Sequence, residues 1–167
     1  MNRSAHRISP GQLAFTQLFS ATRRGARLAR LLAVEQLRSW SAPHDLTERA
    51  ELVVAELGAN AVLHGHVPGR SFRLTLVFDA SRGRLRVDVT DARGDKWPSA
   101  SPTDAAPDAL LRTQGRGLAL VDALADRWET LSFPPSGKTV RAELVDPGGP
   151  SGRAPRHAPA ASHPVAR

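Results

Sequence analysis

Between Ser71 and Thr90 apolar residues fall at every second position, first as Phe72, Leu74, Leu76 and Phe78, then as Leu85, Val87 and Val89. A period of two marks strands that bury one face and wet the other, and Asp79-Ala80-Ser81-Arg82-Gly83 between them is a turn, so the segment predicts an antiparallel hairpin. Arg127–Phe133 and Lys138–Val145, joined across Pro134-Pro135-Ser136-Gly137, predict a second hairpin. A sheet with one apolar face needs helices to cover it. From Arg24 to Trp40, Leu28, Leu31, Leu32, Val34 and Leu37 recur at helical spacing, and Ser41-Ala42-Pro43 ends the run. Asp45 with Glu48 three residues later has the form of a capping box and opens a second helix to about His64, stopped by Gly65 and Pro68-Gly69. Leu13–Ala21 predicts an edge strand and Gly117–Ala125 a short helix. The order strand, helix, helix, strand, strand, loop, helix, strand, strand gives an α+β fold. We expect a two-layer α/β sandwich, its mixed, mostly antiparallel sheet carrying helices on one face. Strict β-α-β alternation is absent, as are GxxxxGK[ST] and GxGxxG.

The 167 residues suggest one domain, and 41% hydrophobic content is enough for a core. There is no cysteine, which excludes disulfides and thiolate metal sites. No apolar run reaches the roughly 18 residues of a membrane span, and MNRSAHRISP lacks the apolar stretch of a secretory signal, so a cytoplasmic protein without membrane contact is expected. The net charge of +7 is unevenly placed: residues 1–30 hold six Arg and no acid, and residues 147–167 hold three Arg and no acid. The surplus therefore lies at the two ends, which makes nucleic acid a weak candidate for the main partner. Residues 1–10 are expected to be flexible, 11–146 to form the domain, and the Pro/Ala/Gly-rich 147–167 to be disordered.

Three separated stretches carry the chemistry. Glu56 and Asn60, one helical turn apart, share a face that His64 continues. Asn60 can offer its amide oxygen to a hard divalent cation, and Glu56 can orient or deprotonate a hydroxyl; the plain alternative is that both bond to backbone or to Arg. Asp91 stands where a strand leaves the sheet and can accept the exocyclic amine of adenine, while Gly94 either lets backbone approach a base or only relieves the turn. Gly115-Arg116-Gly117-Leu118 opens a helix whose free N–H groups suit phosphate; Arg116 meets phosphate or faces solvent. Thr139 can share the adenine contact with Asp91. His64 and His66 lack a third ligand, and His64 reads as a structural or supporting residue. Arg93–Thr113 is long for a loop without structure in a compact domain, and such loops are often functional.

Taken together, Glu56-Leu57-Gly58-Ala59-Asn60-Ala61-Val62-Leu63-His64, Asp91, Gly115-Arg116-Gly117-Leu118-Ala119-Leu120-Val121 and Gly137-Lys138-Thr139-Val140 resemble the motifs of the GHKL (Bergerat-fold) ATP-binding family. The chain is most similar to its small anti-sigma-factor serine kinases and stand-alone ATP-binding regulators of actinobacteria. The resemblance runs from about Leu13 to Val145. It implies ATP and Mg2+ as cofactors, Glu56 as catalytic base, Asn60 as magnesium ligand and Asp91 as adenine acceptor. It also implies a sigma factor and/or an anti-sigma-factor antagonist protein as partner, and a homodimer. The family's Asp-x-Gly-x-Gly is replaced by Asp91-Ala92-Arg93-Gly94-Asp95, with Arg93 and Asp95 at the two glycine positions. Asp95–Thr113 takes the place of the family's ATP lid. Two functions follow: a serine-protein kinase acting on a small antagonist protein, or a non-catalytic protein-binding regulator with a degenerate or structural nucleotide site. A weaker third is nucleic-acid binding through the basic ends.

Overall fold

The computed structural model describes residues 11–65, 67–95 and 116–149, with only the backbone of Arg116 and Gly117. Gly115, His66, most of the expected lid, and the expected flexible and disordered ends lie outside the described residues. The chain runs β1 (Gln12–Ser20), α1 (Arg23–Ser39), α2 (His44–Leu63), β2 (Ser71–Asp79), β3 (Arg84–Asp91), α3 (Arg116–Leu124), β4 (Arg127–Phe133) and β5 (Gly137–Val145). The strands form one sheet in the order β1-β2-β3-β5-β4. All four pairings are antiparallel, the far end of the mostly antiparallel sheet that the two hairpins imply.

Strand register decides what is buried. Phe72, Leu74, Leu76 and Phe78 of β2, Leu85, Val87 and Val89 of β3, and Val140, Ala142 and Leu144 of β5 line one face. They meet Ala29, Ala33 and Leu37 of α1, Val53, Val54, Leu57 and Ala61 of α2, and Val121 of α3. Helix α2 lies over the central strands β3 and β5, α1 toward β1, and α3 toward β4. The opposite face is polar: Thr16 pairs with Thr75, and Asp88 grips the Arg141 guanidinium through Nε at 2.9 Å and Nη2 at 3.0 Å. That grip holds Arg141 above the usual guanidinium range, whereas burial pushes neighbouring Arg86 below it. Among the described residues no helix is long and apolar enough to cross a membrane.

The helix starts differ in kind. Thr22 caps α1, its Oγ1 accepting from Gly25 N at 3.0 Å. The capping box expected at Asp45 and Glu48 does not form. Pro43 precedes the first helical residue and fixes the entry, so α2 begins two residues earlier than a cap at Asp45 implied, with no side-chain cap. Asp45 becomes a first-turn acid, well placed for the helix dipole, and Glu48 reaches back to His44 Nδ1 at 3.6 Å.

Candidate functional site

Helix α2 presents three different sides. Val53, Leu57 and Ala61 face the sheet. Gly58 lies against α1, where an added Cβ would sit 3.6 Å from Ala26 Cβ, and Glu51 pairs with Arg30 of α1 at 3.7 Å on the same side. Glu56 and Asn60 occupy the flank away from α1, as does Arg49 two turns earlier. Arg49 marks what that flank faces: its Nη2 donates to Leu124 O at 2.6 Å and to Asp126 Oδ2 at 2.9 Å, its Nε to Leu124 O at 3.1 Å, and its Nη1 to Val145 O at 2.9 Å. The last carbonyl of α3 is thus fixed beside the start of α2. Helix α3 packs against α2, so the flank that holds Arg49, Glu56 and Asn60 is the one turned toward α3. Both side chains are half-buried, and among the described residues neither makes a hydrogen bond or ion pair. Polar groups this close to a core are ordinarily satisfied, so an unengaged carboxylate and amide one turn apart suit an external ligand.

Asp91 ends β3 at the C-terminal end of α2. Its register partner is Lys138, and both side chains lie on the helix-covered face. Lys138 Nζ donates to Asp91 Oδ1 at 2.9 Å and to Arg93 O at 2.7 Å, and Arg93 N donates to the same Oδ1 at 2.8 Å. Asp91 is 7% exposed and Lys138 4%. Oδ2 accepts no hydrogen bond among the described residues. The carboxylate fills the space that a side chain on Gly65 would take: a Cβ there would meet Asp91 Cγ at 2.4 Å. Gly94 is required for close packing against the β4–β5 turn. Its N donates to Ser136 O at 2.7 Å, and an added Cβ would lie 2.7 Å from Gly137 O.

The register corrects one expected partnership. Thr139 alternates to the polar face, where its hydroxyl lies 2.7 Å from that of Thr90. It is Lys138, not Thr139, that stands beside Asp91. Leu118 is buried as a core side chain, so only its backbone can serve a ligand; in the first turn of α3 its N–H has no partner within the helix. Arg93 and Asp95, at the two replaced glycine positions, bind each other through two hydrogen bonds of 2.9 and 2.8 Å. His64 is exposed at the end of α2. Among the described residues no three His, Asp or Glu gather as a metal site. A cation at Asn60 would therefore complete its shell with ligand oxygens and water, which suits magnesium with a polyphosphate.

Three residues that matter to this geometry were given no part in the site from sequence: Arg49, Gly65, read only as a helix stop, and Lys138, named only within the closing motif. For Lys138 a signal existed. Val140, Ala142 and Leu144 set the inward alternation of β5, and Lys138 continues it, as Asp91 continues that of Leu85, Val87 and Val89. Two opposite charges extending two inward-facing rows on paired strands meet.

A profile of the histidine kinase-like ATPase domain family matches residues 19–144, from the end of β1 to the end of β5. The chain belongs to that family. No curated protein sequence matches it. Among solved structures it is similar to the RsbU and RsbW domains of Rv1364c from Mycobacterium tuberculosis, with a TM-score of 0.59 and 21% identity over 80% of this chain. It spans about a third (32%) of the length of that chain. It is also similar to the SiaB–SiaC complex from Pseudomonas aeruginosa, with a TM-score of 0.57 and 13% identity, covering 78% of this chain and 88% of that one. At these identities the likeness speaks for the shared fold.

Proposed function

We propose that this histidine kinase-like ATPase domain is an ATP- and magnesium-dependent serine-protein kinase of anti-sigma-factor type, acting on a small antagonist protein. The observation that carries the reading is the flank of α2: Glu56 and Asn60 stand half-buried and unengaged among the described residues, on the side facing α3, while the end of the same helix supports Asp91. Bound ATP with magnesium supplies the transferable phosphoryl group. Asn60 offers its amide oxygen to the cation. Asp91 Oδ2 accepts the 6-amine of adenine, and Gly94 lets the turn after Asp91 pack closely beneath it. The N–H groups of Gly115, Arg116, Gly117 and Leu118 receive phosphate oxygens. Glu56 takes the proton of the attacking serine hydroxyl, which positioned carboxylates do at a gain of about 10²–10⁴ in rate. A protein substrate is in keeping with the similar structures, one of which is a two-protein complex and the other an RsbW domain in one chain with an RsbU domain. A homodimer and a sigma factor as second partner belong to the same reading.

One observation favours a second reading. Arg93 and Asp95 lock each other where the family has glycines, which rigidifies the segment after Asp91 and suits a regulator that holds nucleotide without transferring phosphate. Calorimetry with ATP and magnesium, followed by labelled-phosphate transfer from ATP to proteins of the native cell, separates the two. The kinase reading expects ATP binding, label on serine of a small protein, and loss of transfer but not of binding in Glu56→Gln. Unchanged transfer by Glu56→Gln would refute Glu56 as base. Binding without transfer would leave the non-catalytic regulator, and no binding at about 1 mM ATP would remove the nucleotide from both readings.

A further inference from the structure

We infer that the free edge of β1 is where a second copy of this chain docks, the two β1 strands pairing antiparallel across a twofold axis so that both sheets run on as one. This gives the homodimer proposed above a surface, and it rests on that homodimer, not on the nucleotide. The sheet ends in β1 and β4, each with a single partner strand among the described residues. The two edges are guarded differently. β4 has seven residues and carries Arg127 and Glu129. β1 has nine, Gln12–Ser20, with no charged residue and no proline. Each of the nine is matched in turn to a residue of β2, so no bulge twists the edge away. Short length, charge, proline and bulges are the devices by which edge strands avoid pairing, and β1 has none of them.

Helix α1 continues the same surface. Its Ala26 meets Gly58 and its Arg30 pairs with Glu51, so one side of α1 faces α2. Helical spacing puts Gly25, Leu28, Leu32 and Gln36 on the other side, over the β1 rim, and that side too is uncharged. Leu28, Leu32 and Leu13 are exposed there, and Leu18 on the opposite sheet face is 59% exposed. A rim without charge offers an acidic or basic segment nothing to recognise. Two chains of net charge +7 repel each other, and a neutral rim lets them meet without opposing like charges. The edge also complements itself. Opposite residues of an antiparallel pair share a sheet face, so a twofold axis must pass through a residue. Pairing all nine residues puts that axis at Thr16. Leu13 then lies opposite Phe19 and Phe15 opposite Gln17 on the helix-covered face, Ala14 lies opposite Leu18 on the other, and Thr16 faces its own copy.

The chain has no cysteine, so one introduced thiol reports one contact. Sedimentation of the full chain without nucleotide should show a dimer. Thr16 is exposed, so variants there should melt as the wild type does. Thr16→Cys should close to a disulfide-linked dimer under mild oxidation, because opposed strand residues hold their Cα atoms about 4.5–5.5 Å apart, within disulfide reach. Leu18→Cys should not, because its own copy stands four positions along the strand, about 13 Å away. Thr16→Lys sets two ammonium groups face to face and should weaken the dimer by about tenfold or more, and mixing it with Thr16→Glu should restore association. A wild-type monomer would overturn both the homodimer and this surface, and slow hydrogen exchange of the β1 amides in that monomer would give the edge to residues 1–10 instead. A dimer in which Thr16→Cys fails to link, or in which Thr16→Lys associates as the wild type does, would overturn the surface alone.

Discussion

Gly65→Ala introduces one methyl group at the end of α2, and the structure fixes what it meets. The new Cβ would stand 2.4 Å from Asp91 Cγ, 2.5 Å from Oδ2 and 2.6 Å from Asp91 Cβ. Favourable contacts between carbon atoms begin at about 3.5 Å, so something must move by about 1 Å. If the helix end yields, the cost is that of an overpacked core, about 1–3 kcal/mol. If Asp91 yields instead, its pairing with Lys138 is disturbed at a buried site, where breaking an ion pair costs about 3–5 kcal/mol. Either route moves the carboxylate proposed to accept adenine. Gly58→Ala is the internal control, seven residues earlier on α2. There the nearest atom to the new Cβ is 3.6 Å away, an ordinary contact, and the site is mid-helix. Replacing a mid-helix glycine by alanine should stabilise by about 0.5–1 kcal/mol. Urea denaturation of the two variants should thus give shifts of opposite sign, and calorimetry with ATP and magnesium should find binding weakened only in Gly65→Ala. A Gly65→Ala protein within about 0.5 kcal/mol of wild type, and binding ATP equally well, would refute the packing of Gly65 on Asp91 as the support of the site.

Arg49→Met removes four hydrogen bonds from a side chain that is 18% exposed and leaves Leu124 O without that donor, so a loss of about 2–4 kcal/mol is expected in thermal or urea unfolding. Because Asp126 keeps the Val145 N–H at 2.7 Å, β5 should stay in register, and hydrogen exchange should rise in α3 before it rises in β5. Asp79 sits at the β2–β3 turn, its carboxyl held below the usual range first by the Ser81 hydroxyl and also by Arg82 N. A depressed carboxyl stabilises above its unfolded titration and loses that contribution as pH falls through the folded value. The melting-temperature gap between wild type and Asp79→Asn should therefore be present near pH 6 and close on acidification below about pH 4.

The period-two pattern of the hairpins left little freedom in the sheet. Phe72 to Val89 must bury one row, and among the described residues the helices long enough to cover it are the two that precede it. What the pattern could not supply was pairing between strands distant in sequence. That β5 lies between β3 and β4 follows from which buried rows meet in three dimensions, and it is this placement that brings Lys138 opposite Asp91 and turns Thr139 outward. Helix entry was misjudged at Asp45 for a local reason: Pro43 sets the backbone just before the first helical turn, and that constraint outweighs a side-chain cap. Glu56 and Asn60 were legible because one turn of helix fixes their relation without any tertiary contact. Gly65 was legible only as a helix stop. Its second role, room for a carboxylate on a strand about 25 residues later, has no local signature.

The location of the proposed site follows from where the core runs out. Along β3 and β5 the inward rows are hydrocarbon from Leu85 and Leu144 through Val89 and Val140, and the next step places Asp91 against Lys138. An isolated charge there would be ruinous, whereas a hydrogen-bonded pair is tolerated but adds little stability over an apolar pair of similar volume. Such a pair is therefore poorly explained as a device for holding the sheet together, all the more because one of its oxygens remains unengaged among the described residues. The same holds for Glu56 and Asn60, which interrupt the side of α2 toward α3 and make no hydrogen bond or ion pair among the described residues. Arg49 makes the contrast plain. It lies on the same flank, yet spends every donor nitrogen on α3 and its surroundings, which is how a polar side chain looks when its task is structural. The two kinds of polar residue on one helix flank separate the part of the interface that binds α3 from the part proposed to bind a ligand.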